Sequence, residues 1–363
     1  MQVNGPVQTL QPATLRVRDV ESAMRAEAAR PLSYAEEFQS GATVAALDVF
    51  APTSQKKPWH GDFVNAILTS KGLQDGDVQK IQHGMSDDTC HALKGLLDND
   101  GREETPGQRL DGYIELSGSQ KLIQTNGTLA QILAHPDSSL KVLNQSQGNS
   151  RVDIYELLES AVKPKSGDEG ALSQTGRRLA EEFGLDPAAE NFQVQALHQH
   201  LADRVASVID NSPLIAAEQK RHGELLQALR DKGVLMVTSA GNNADELGRV
   251  RSDGIRVSDN FDDDLTSVGP KLVVGALDAA IMPTDGNSSI AYFSSLYPGV
   301  NLLAPGVGVQ TPLGAGTGTS FAAPQVALQA ELIRRENPTW SVDQVEAQTR
   351  KQFLATDGFN ILS

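Results

Sequence analysis

The chain has 363 residues, of which 39% are hydrophobic, enough for one large core. Its formal net charge of −15 disfavours nucleic acid and anionic membrane surfaces as partners, since both bind clustered Lys and Arg. No stretch approaches the roughly 18 consecutive apolar residues of a membrane span, so no membrane insertion is expected. The single cysteine, Cys90, excludes an intramolecular disulfide. Since no signal peptide is recognisable, we expect a protein that is cytoplasmic or exported without one.

The first 40 residues are polar and rich in alanine, and their spacing predicts a short amphipathic helix over residues 20–29. We interpret residues 1–40 as an N-terminal extension and residues 41–363 as one domain. Within that domain, residues 84–190 are polar and have a helical pattern interrupted by Gly- and Asn-containing turns. We interpret this segment as a long, mostly helical insertion and as a candidate surface for a protein partner.

Short apolar runs alternate with helical patterns on both sides of that segment. Before it, the sequence predicts a strand over 44–47, a helix over 60–68 and a strand over 78–82. After it, helices are predicted over 192–203 and 214–229, and strands over 205–209, 234–238 and 272–275. This alternation is typical of α/β proteins, so we predict a mainly parallel central sheet with helices on both faces.

Four polar residues lie at the ends of these elements, where parallel sheets bind their ligands. Asp48 follows the first strand and His60 opens the next helix. Asn242 follows the strand over 234–238, and Ser320 begins a late helix. Acyl transfer by a serine needs a base, an acid that orients the base, and donors to the oxyanion. These four residues supply one of each.

Residues 318–327 read Gly-Thr-Ser-Phe-Ala-Ala-Pro-Gln-Val-Ala. Ser320 stands at the start of a helix between small residues, where unpaired N–H groups and the helix dipole favour negative charge. Pro324 is expected in the first turn of that helix, where its missing N–H is tolerated. The stretch resembles the nucleophile motif of the subtilisin-like serine proteases (subtilases), Gly-Thr-Ser-x-Ala-x-Pro-x-Val-Ala.

Three further segments resemble the same family in its usual chain order. Residues 44–48, Val-Ala-Ala-Leu-Asp, resemble the aspartate strand, although Val and Phe follow where the family usually has Ser or Thr and then Gly. Residues 59–64, Trp-His-Gly-Asp-Phe-Val, resemble the histidine motif, and residues 240–242, Ala-Gly-Asn, resemble the oxyanion turn. The resemblance covers about residues 41–83 and 205–363.

The resemblance implies a three-layer subtilisin-like fold and a serine endopeptidase that forms an acyl-enzyme. It implies Ser320 as nucleophile, His60 as general base and Asp48 as the carboxylate that orients His60. The side-chain amide of Asn242 and the backbone N–H of Ser320 would donate to the oxyanion. No cofactor is implied, and the expected partner is a protein or peptide substrate.

The family's substrate-binding strand usually reads Ser-Leu-Gly, and we place its counterpart at Ser212-Pro213-Leu214. Ser212, Ala240 and Gly241 are therefore the predicted substrate-binding residues. Because Pro213 has no N–H to donate, we expect shorter backbone pairing with an extended peptide.

The sequence offers only weak metal candidates. Four aspartates between residues 259 and 264 (Asp259, Asp262, Asp263 and Asp264) could supply oxygen ligands to Ca²⁺, but a solvated acidic turn is the simpler interpretation. His198 and His200 are two positions apart and would face different sides of a helix, so we predict no shared metal there.

Three other functions remain open. A subtilase scaffold of weak or no activity would act as a protein-binding module, with residues 84–190 as its recognition surface. A sedolisin-like enzyme would use a glutamate as base, which His60 in a His-Gly pair argues against. A serine esterase would keep the same nucleophile and base but act on a different bond.

Overall fold

The computed structural model describes residues 16–30, 41–51, 57–98, 104–135, 138–164, 172–278 and 289–355. Its strands are β1 (Val44–Asp48), β2 (Val78–Gln82), β3 (Val142–Gln145), β4 (Leu235–Ser239), β5 (Leu272–Asp278), β6 (Ser289–Ile290), β7 (Leu302–Pro305), β8 (Val309–Thr311), β9 (Gly314–Gly316) and β10 (Leu354–Ala355). Its α-helices are α1 (Val17–Ala28), α2 (His60–Leu68), α3 (Asp87–Asp98), α4 (Pro106–Ala134), α5 (Arg151–Val162), α6 (Gln174–Glu182), α7 (Val194–Asn211), α8 (Pro213–Asp231), α9 (Ala244–Ser252), α10 (Thr319–Glu336) and α11 (Val342–Arg350).

The central sheet has the strand order β10-β7-β5-β4-β3-β1-β2, and β6 pairs with β5 outside this path. From β7 to β2 every neighbouring pair is parallel. The short strands β6 and β10 are antiparallel to their partners, and β8 and β9 form a separate hairpin. All the parallel strands therefore end at one edge of the sheet, where ligands bind in such folds.

Helices cover both faces of the sheet, as the side chains of β1 illustrate. Successive strand residues point to opposite faces, so Val44 and Ala46 pack against α2 and α10. Ala45 and Leu47 pack on the other side against α4 and α8. The strand is apolar at each of these positions because neither face meets water. The predicted α/β fold, with a mainly parallel sheet between two helical layers, is confirmed.

A further core lies among the helices outside the sheet, where α1, α3, α5, α6 and α7 pack around α4. Helix α1 contributes Val20 and Met24, which are fully buried in this core. The helix is also held by Arg25, whose Nη1 donates to Oε1 of the buried Glu218 over 2.8 Å. Residues 17–28 of the predicted N-terminal extension are therefore packed into the body of the protein.

The prediction of a strand over residues 205–209 was wrong, because these residues belong to α7. The buried side chains Leu197, Leu201, Val205 and Ile209 recur every four positions, which is the spacing of one helical face. The five consecutive apolar or small residues near the end of this helix, Val-Ala-Ser-Val-Ile, gave a false strand signal.

The segment over residues 84–190 is mostly helical, but it also supplies β3, which lies between β1 and β4. It is therefore not an insertion over its whole length. Only Val142 and Leu143 of this short strand are apolar, and they are followed by the buried polar residues Asn144 and Gln145. That composition conceals a central strand in a polar segment.

No helix in the described part of the chain combines the length and the apolar character that crossing a membrane would require.

Candidate active site

The structure brings Asp48, His60 and Ser320 into one hydrogen-bonded line. Nδ1 of His60 lies 2.9 Å from both carboxylate oxygens of Asp48, and its Nε2 lies 2.8 Å from Oγ of Ser320. Asp48 is completely buried at the end of β1, while His60 opens α2. A carboxylate can only accept, so Nδ1 carries the proton and Nε2 accepts the hydroxyl proton of Ser320.

Small and aromatic neighbours fix the position of His60. A Cβ atom on Gly61 would lie 2.8 Å from the ring of Phe50 and from the carbonyl oxygen of Val49, so only glycine fits here. The N–H of Gly61 donates to that same carbonyl over 2.9 Å, which ties the start of α2 to the end of β1. The ring of Phe321 meets the imidazole edge-on, with the centroids 5.9 Å apart.

Ser320 lies in the first turn of α10, where backbone N–H groups have no acceptor within the helix. Gly318 precedes it with a φ of +149°, which favours glycine. A Cβ atom on Gly318 would lie 3.0 Å from Oγ of Ser320 and 3.2 Å from Nδ2 of Asn242. Glycine therefore keeps open the space between these two groups.

We predicted Pro324 in the first turn of α10, but it is the sixth residue of this helix. Because proline has no backbone N–H, the carbonyl oxygen of Ser320, four residues earlier, receives no helical hydrogen bond from this position. The helix continues to Glu336 because its apolar side chains pack against the sheet.

Asn242 faces Ser320 with a defined amide orientation. Its Oδ1 accepts from the backbone N–H of Thr319 over 2.9 Å and from the Thr319 hydroxyl over 3.0 Å. Since both of these groups are donors, the amide oxygen must face them, and Nδ2 is left to donate on the other side. The Thr319 hydroxyl in turn accepts from the N–H of Gly241 over 3.2 Å, which fixes the turn before Asn242.

These groups open onto a cavity of about 250 Å³. One wall, which we call the oxyanion wall, consists of residues 240–242 after β4. A second wall, which we call the strand wall, consists of Ser146, Gln147 and Gly148 after β3. Both walls continue parallel strands beyond their carboxyl ends, and Ser320 lines the same cavity.

The prediction of Ser212 as a substrate-binding residue was wrong. Ser212 is the N-cap of α8, where its Oγ accepts from the N–H of Ile215 over 3.0 Å and donates to Glu115 over 2.5 Å. Pro213 occupies the first position of that helix, so Ser-Pro here is a helix-start signal. Ala240 and Gly241 do line the cavity, whereas the place predicted for Ser212 is taken by Ser146.

The sequence contained a signal for the strand wall that we did not use. The wall reads Ser-Gln-Gly directly after the short apolar run at residues 142–143 and two polar residues. Its serine and glycine have the same spacing as the family's Ser-Leu-Gly.

Acidic side chains also line the cavity, namely Asp153, Asp262 and Asp264. Asp262 and Asp264 are only 5% and 6% exposed, so the predicted solvated acidic turn was wrong for these two. Burial raises the pKa of both carboxyls, and it raises the pKa of the neighbouring Asp263 to about 6. No Lys or Arg is among the cavity-lining residues that the structure describes.

Within the described ranges, no group of three His, Cys, Asp or Glu side chains is arranged to hold a metal ion. The sequence-based suggestion of calcium at the aspartates therefore gains no support from their arrangement. His198 instead packs edge-on against Tyr155, and His200 stacks on Phe183.

The chain matches the model of a known protein family. A model of the subtilase family matches residues 55–358, which is most of the chain. The chain therefore belongs to the subtilase family of serine proteases.

Individual relatives match over shorter stretches. Alkaline elastase YaB from Bacillus sp. (strain YaB) is 44% identical over 71 residues, which are 18% of this chain and 19% of that protein. Subtilisin Savinase from Lederbergia lenta is 41% identical over 87 residues, which are 23% of this chain and 32% of that protein. The matched stretches thus span less than a third of these relatives. Among solved structures, Sphericase is similar with a TM-score of 0.37 and 14% identity, over 86% of this chain and 83% of that chain.

Proposed function

We propose that this chain is a serine endopeptidase that hydrolyses peptide bonds through an acyl-enzyme. The observation that carries the proposal is the line of hydrogen bonds from Ser320 through His60 to Asp48, at 2.8 and 2.9 Å, beside an open cavity. A nucleophile, a base and an orienting acid in this order are what acyl transfer by a serine requires. Membership of the subtilase family supports the same activity.

In the proposed reaction, Oγ of Ser320 attacks the carbonyl carbon of the scissile bond while Nε2 of His60 takes the hydroxyl proton. The C–N bond then breaks, and His60 returns that proton to the leaving amine. Water repeats the sequence on the acyl-enzyme, which releases the acid and restores Ser320. Asp48 accepts from Nδ1–H throughout, so it holds the required tautomer and stabilises the imidazolium. This sequence of steps requires no cofactor.

The proposed oxyanion donors are Nδ2 of Asn242 and the backbone N–H of Ser320. The Thr319 hydroxyl and N–H hold the amide oxygen of Asn242, so its NH₂ group is oriented before substrate arrives. Donors that are fixed in advance stabilise the developing charge without reorganisation. We place the oxyanion of the substrate in the space beside Gly318, between Ser320 and Asn242.

The proposed substrate is a protein or peptide in an extended conformation. The strand wall and the oxyanion wall each continue a β-strand, and exposed strand continuations can pair with an added peptide strand. We therefore place Ala240 and Gly241 on one side of the peptide and residues 146–148 on the other.

The alternatives differ in what the site would need. A sedolisin-like base would have to be a glutamate near Ser320, but none of the described cavity-lining residues is one. A serine esterase would use the same three residues without needing two strand-like walls. A binding scaffold would have no need for a serine within hydrogen-bonding distance of a histidine.

The test is to incubate the purified protein with a mixed peptide library and with matched alkyl esters, and to compare it with Ser320→Ala. We expect peptide cleavage that disappears in the variant. Ester hydrolysis without peptide cleavage would favour the esterase. No turnover of either class by a folded wild-type protein would favour the scaffold.

A further inference from the structure

The carboxylate of Asp48 has two supporting donors besides His60. Besides His60, its Oδ1 accepts from the N–H of Val49 over 2.7 Å and from Nε2 of Gln147 over 3.1 Å. The carboxylate is completely buried, so these donors replace water. Gln147 belongs to the strand wall, and so one residue both lines the cavity and contacts the orienting acid.

The other end of the Gln147 amide contacts a lysine. Nζ of Lys121, from α4, donates to Oε1 of Gln147 over 2.6 Å. An ammonium group has only donors, so it requires the amide oxygen on its side. If the amide were reversed, its oxygen would face the carboxylate and its NH₂ group would face the ammonium. Lys121, which can only donate, and the carboxylate of Asp48, which can only accept, therefore select the same direction of the Gln147 amide.

The main chain of Gln147 is also held from within the protein. Nε2 of Gln145 donates to the backbone oxygen of Gln147 over 3.0 Å and to Oγ1 of Thr125 over 3.2 Å. Thr125 lies one helical turn beyond Lys121 on α4, so the same helix supports both the side chain and the main chain of Gln147.

We infer that Gln147 is a positioning residue for the orienting carboxylate, and that Lys121 supports it by holding the oxygen end of its amide. This inference rests on the proposed triad. Gln147 holds Asp48 so that both of its oxygens face Nδ1 of His60, and Lys121 acts on the reaction only through Asp48, by way of this contact and of its own charge. The electrostatic surroundings are consistent with a charged Lys121: burial lowers its pKa, but Asp48, Asp264 and Asp153 oppose that shift.

The test is a double-mutant cycle between Lys121→Met and Asp48→Asn, with kcat and KM measured on one peptide. Methionine keeps a similar length and removes the ammonium, so the amide of Gln147 loses one of the two groups that fix its direction, and its hold on the carboxylate weakens. We expect Lys121→Met to lower kcat by roughly 10-fold to 100-fold with KM changed less than twofold, since small misplacements at the reacting centre have effects of this size. Asp48→Asn alone should cost about 10⁴-fold in kcat.

In the Asp48→Asn background, Lys121→Met should cost no further activity, because the group through which it acts is gone. Lys121→Arg should recover most of the wild-type kcat, because a guanidinium also offers only donors. Lys94→Met, at an exposed lysine of α3, is the matched control and should match the wild type.

An equal loss from Lys121→Met in both backgrounds would overturn the inference, since it would show a general structural role. A wild-type kcat in Lys121→Met would overturn it as well. Failure of the proposed function looks different, because the wild type itself would then lack activity.

Discussion

We propose that both walls of the cavity contact the peptide, but the two walls differ in how far they can be predicted from the sequence. The oxyanion wall is a sequence motif, Ala-Gly-Asn, whose asparagine is fixed by Thr319 from the motif of the nucleophile. The strand wall has glutamine at its centre, and the side chain of that glutamine supports Asp48. The first wall can be read from a short stretch of sequence, whereas the second depends on contacts with α4.

The walls are nevertheless joined behind the cavity. Nδ2 of Asn243 donates to Oγ of Ser150 over 2.8 Å and to Oδ2 of Asp153 over 3.1 Å. Deeper in the same interface, Arg249 of α9 binds Glu159 of α5 over 2.7 Å. The helices that follow the two walls thus hold them at a fixed separation, so the walls form one site.

Of the two walls, the oxyanion wall is expected to show the larger effect. Asn242→Leu keeps the approximate volume and removes the donor, so kcat should fall by roughly 100-fold to 1,000-fold while KM stays nearly constant. The measurement is kcat, KM and melting temperature of this variant. If the variant is destabilised but fully active per folded molecule, Asn242 is only a turn residue. The oxyanion wall would then have no separate role in the chemical step.

A smaller effect is expected on the strand wall, and it should fall on KM. A Cβ atom on Gly148 would lie 2.5 Å from Oδ2 of Asp264. This carboxylate cannot easily move, because the Thr266 hydroxyl donates to its Oδ2 and the N–H groups of Thr266 and Asn149 donate to its Oδ1. Gly148→Ala should displace this wall and raise KM by about tenfold, in line with the usual cost of overpacking. Gly76→Ala, where a Cβ meets nothing within 4 Å, is the control. An unchanged KM would show that residues 146–148 do not take part in substrate binding.

The charge of the cavity predicts a preference among substrates. Asp153, Asp262 and Asp264 lie around it, so a positive side chain on the peptide should be favoured. We compare peptides that differ only in the residue before the scissile bond. We expect kcat/KM with Lys or Arg at that position to exceed kcat/KM with Glu by roughly 3-fold to 10-fold. This ratio should fall as salt is added, because salt screens the charges. Moving the same substitutions to a distant position of the peptide provides the control. A preference for Glu would contradict this reading of the cavity.

The smallest effect concerns the interface that joins the walls. Burial and the neighbouring Glu246 raise the pKa of Glu156 from 4.5 to about 7. A carboxyl whose pKa is raised by folding stabilises the protein at low pH, and this contribution is lost as the pH rises through 7. The melting temperature should therefore fall between pH 5 and pH 8, by about 2 °C to 4 °C from this group. In Glu156→Gln, this part of the pH dependence of the melting temperature should be absent. If the melting temperature of the variant depended on pH as that of the wild type does, Glu156 would not share a proton with Glu246.

Much of the fold could be predicted from the sequence where the pattern is periodic. The helix over 60–68 and the strand over 78–82 were predicted with their observed bounds, because apolar residues mark one or both buried faces. β3 could not be found in this way, since half of it is the buried polar pair Asn144 and Gln145, and Gln145 donates to a partner from another segment, Thr125 of α4. Such partners are close in space but far apart in sequence.

The residues of the site also fall into two groups, those marked by a local motif and those defined by contacts between distant segments. Asp48, His60, Asn242 and Ser320 were predicted because each sits in a local motif. The structure places the last three at the cavity and Asp48 behind His60. Gln147 and Lys121 are 26 positions apart, and their contact depends on how α4 packs over the sheet. Ser212 was misassigned because a helix N-cap followed by proline looks much like the start of a Ser-Leu-Gly strand.

The central claim, that Ser320 is an activated nucleophile, is tested most directly by covalent labelling. A serine-directed phosphonate forms a stable bond only with a serine that a nearby base activates. Peptide mapping by mass spectrometry should find the label on Ser320 of the wild-type protein and no label on Ser320→Ala. Labelling at another residue, or no labelling of the folded wild-type protein, would contradict the account.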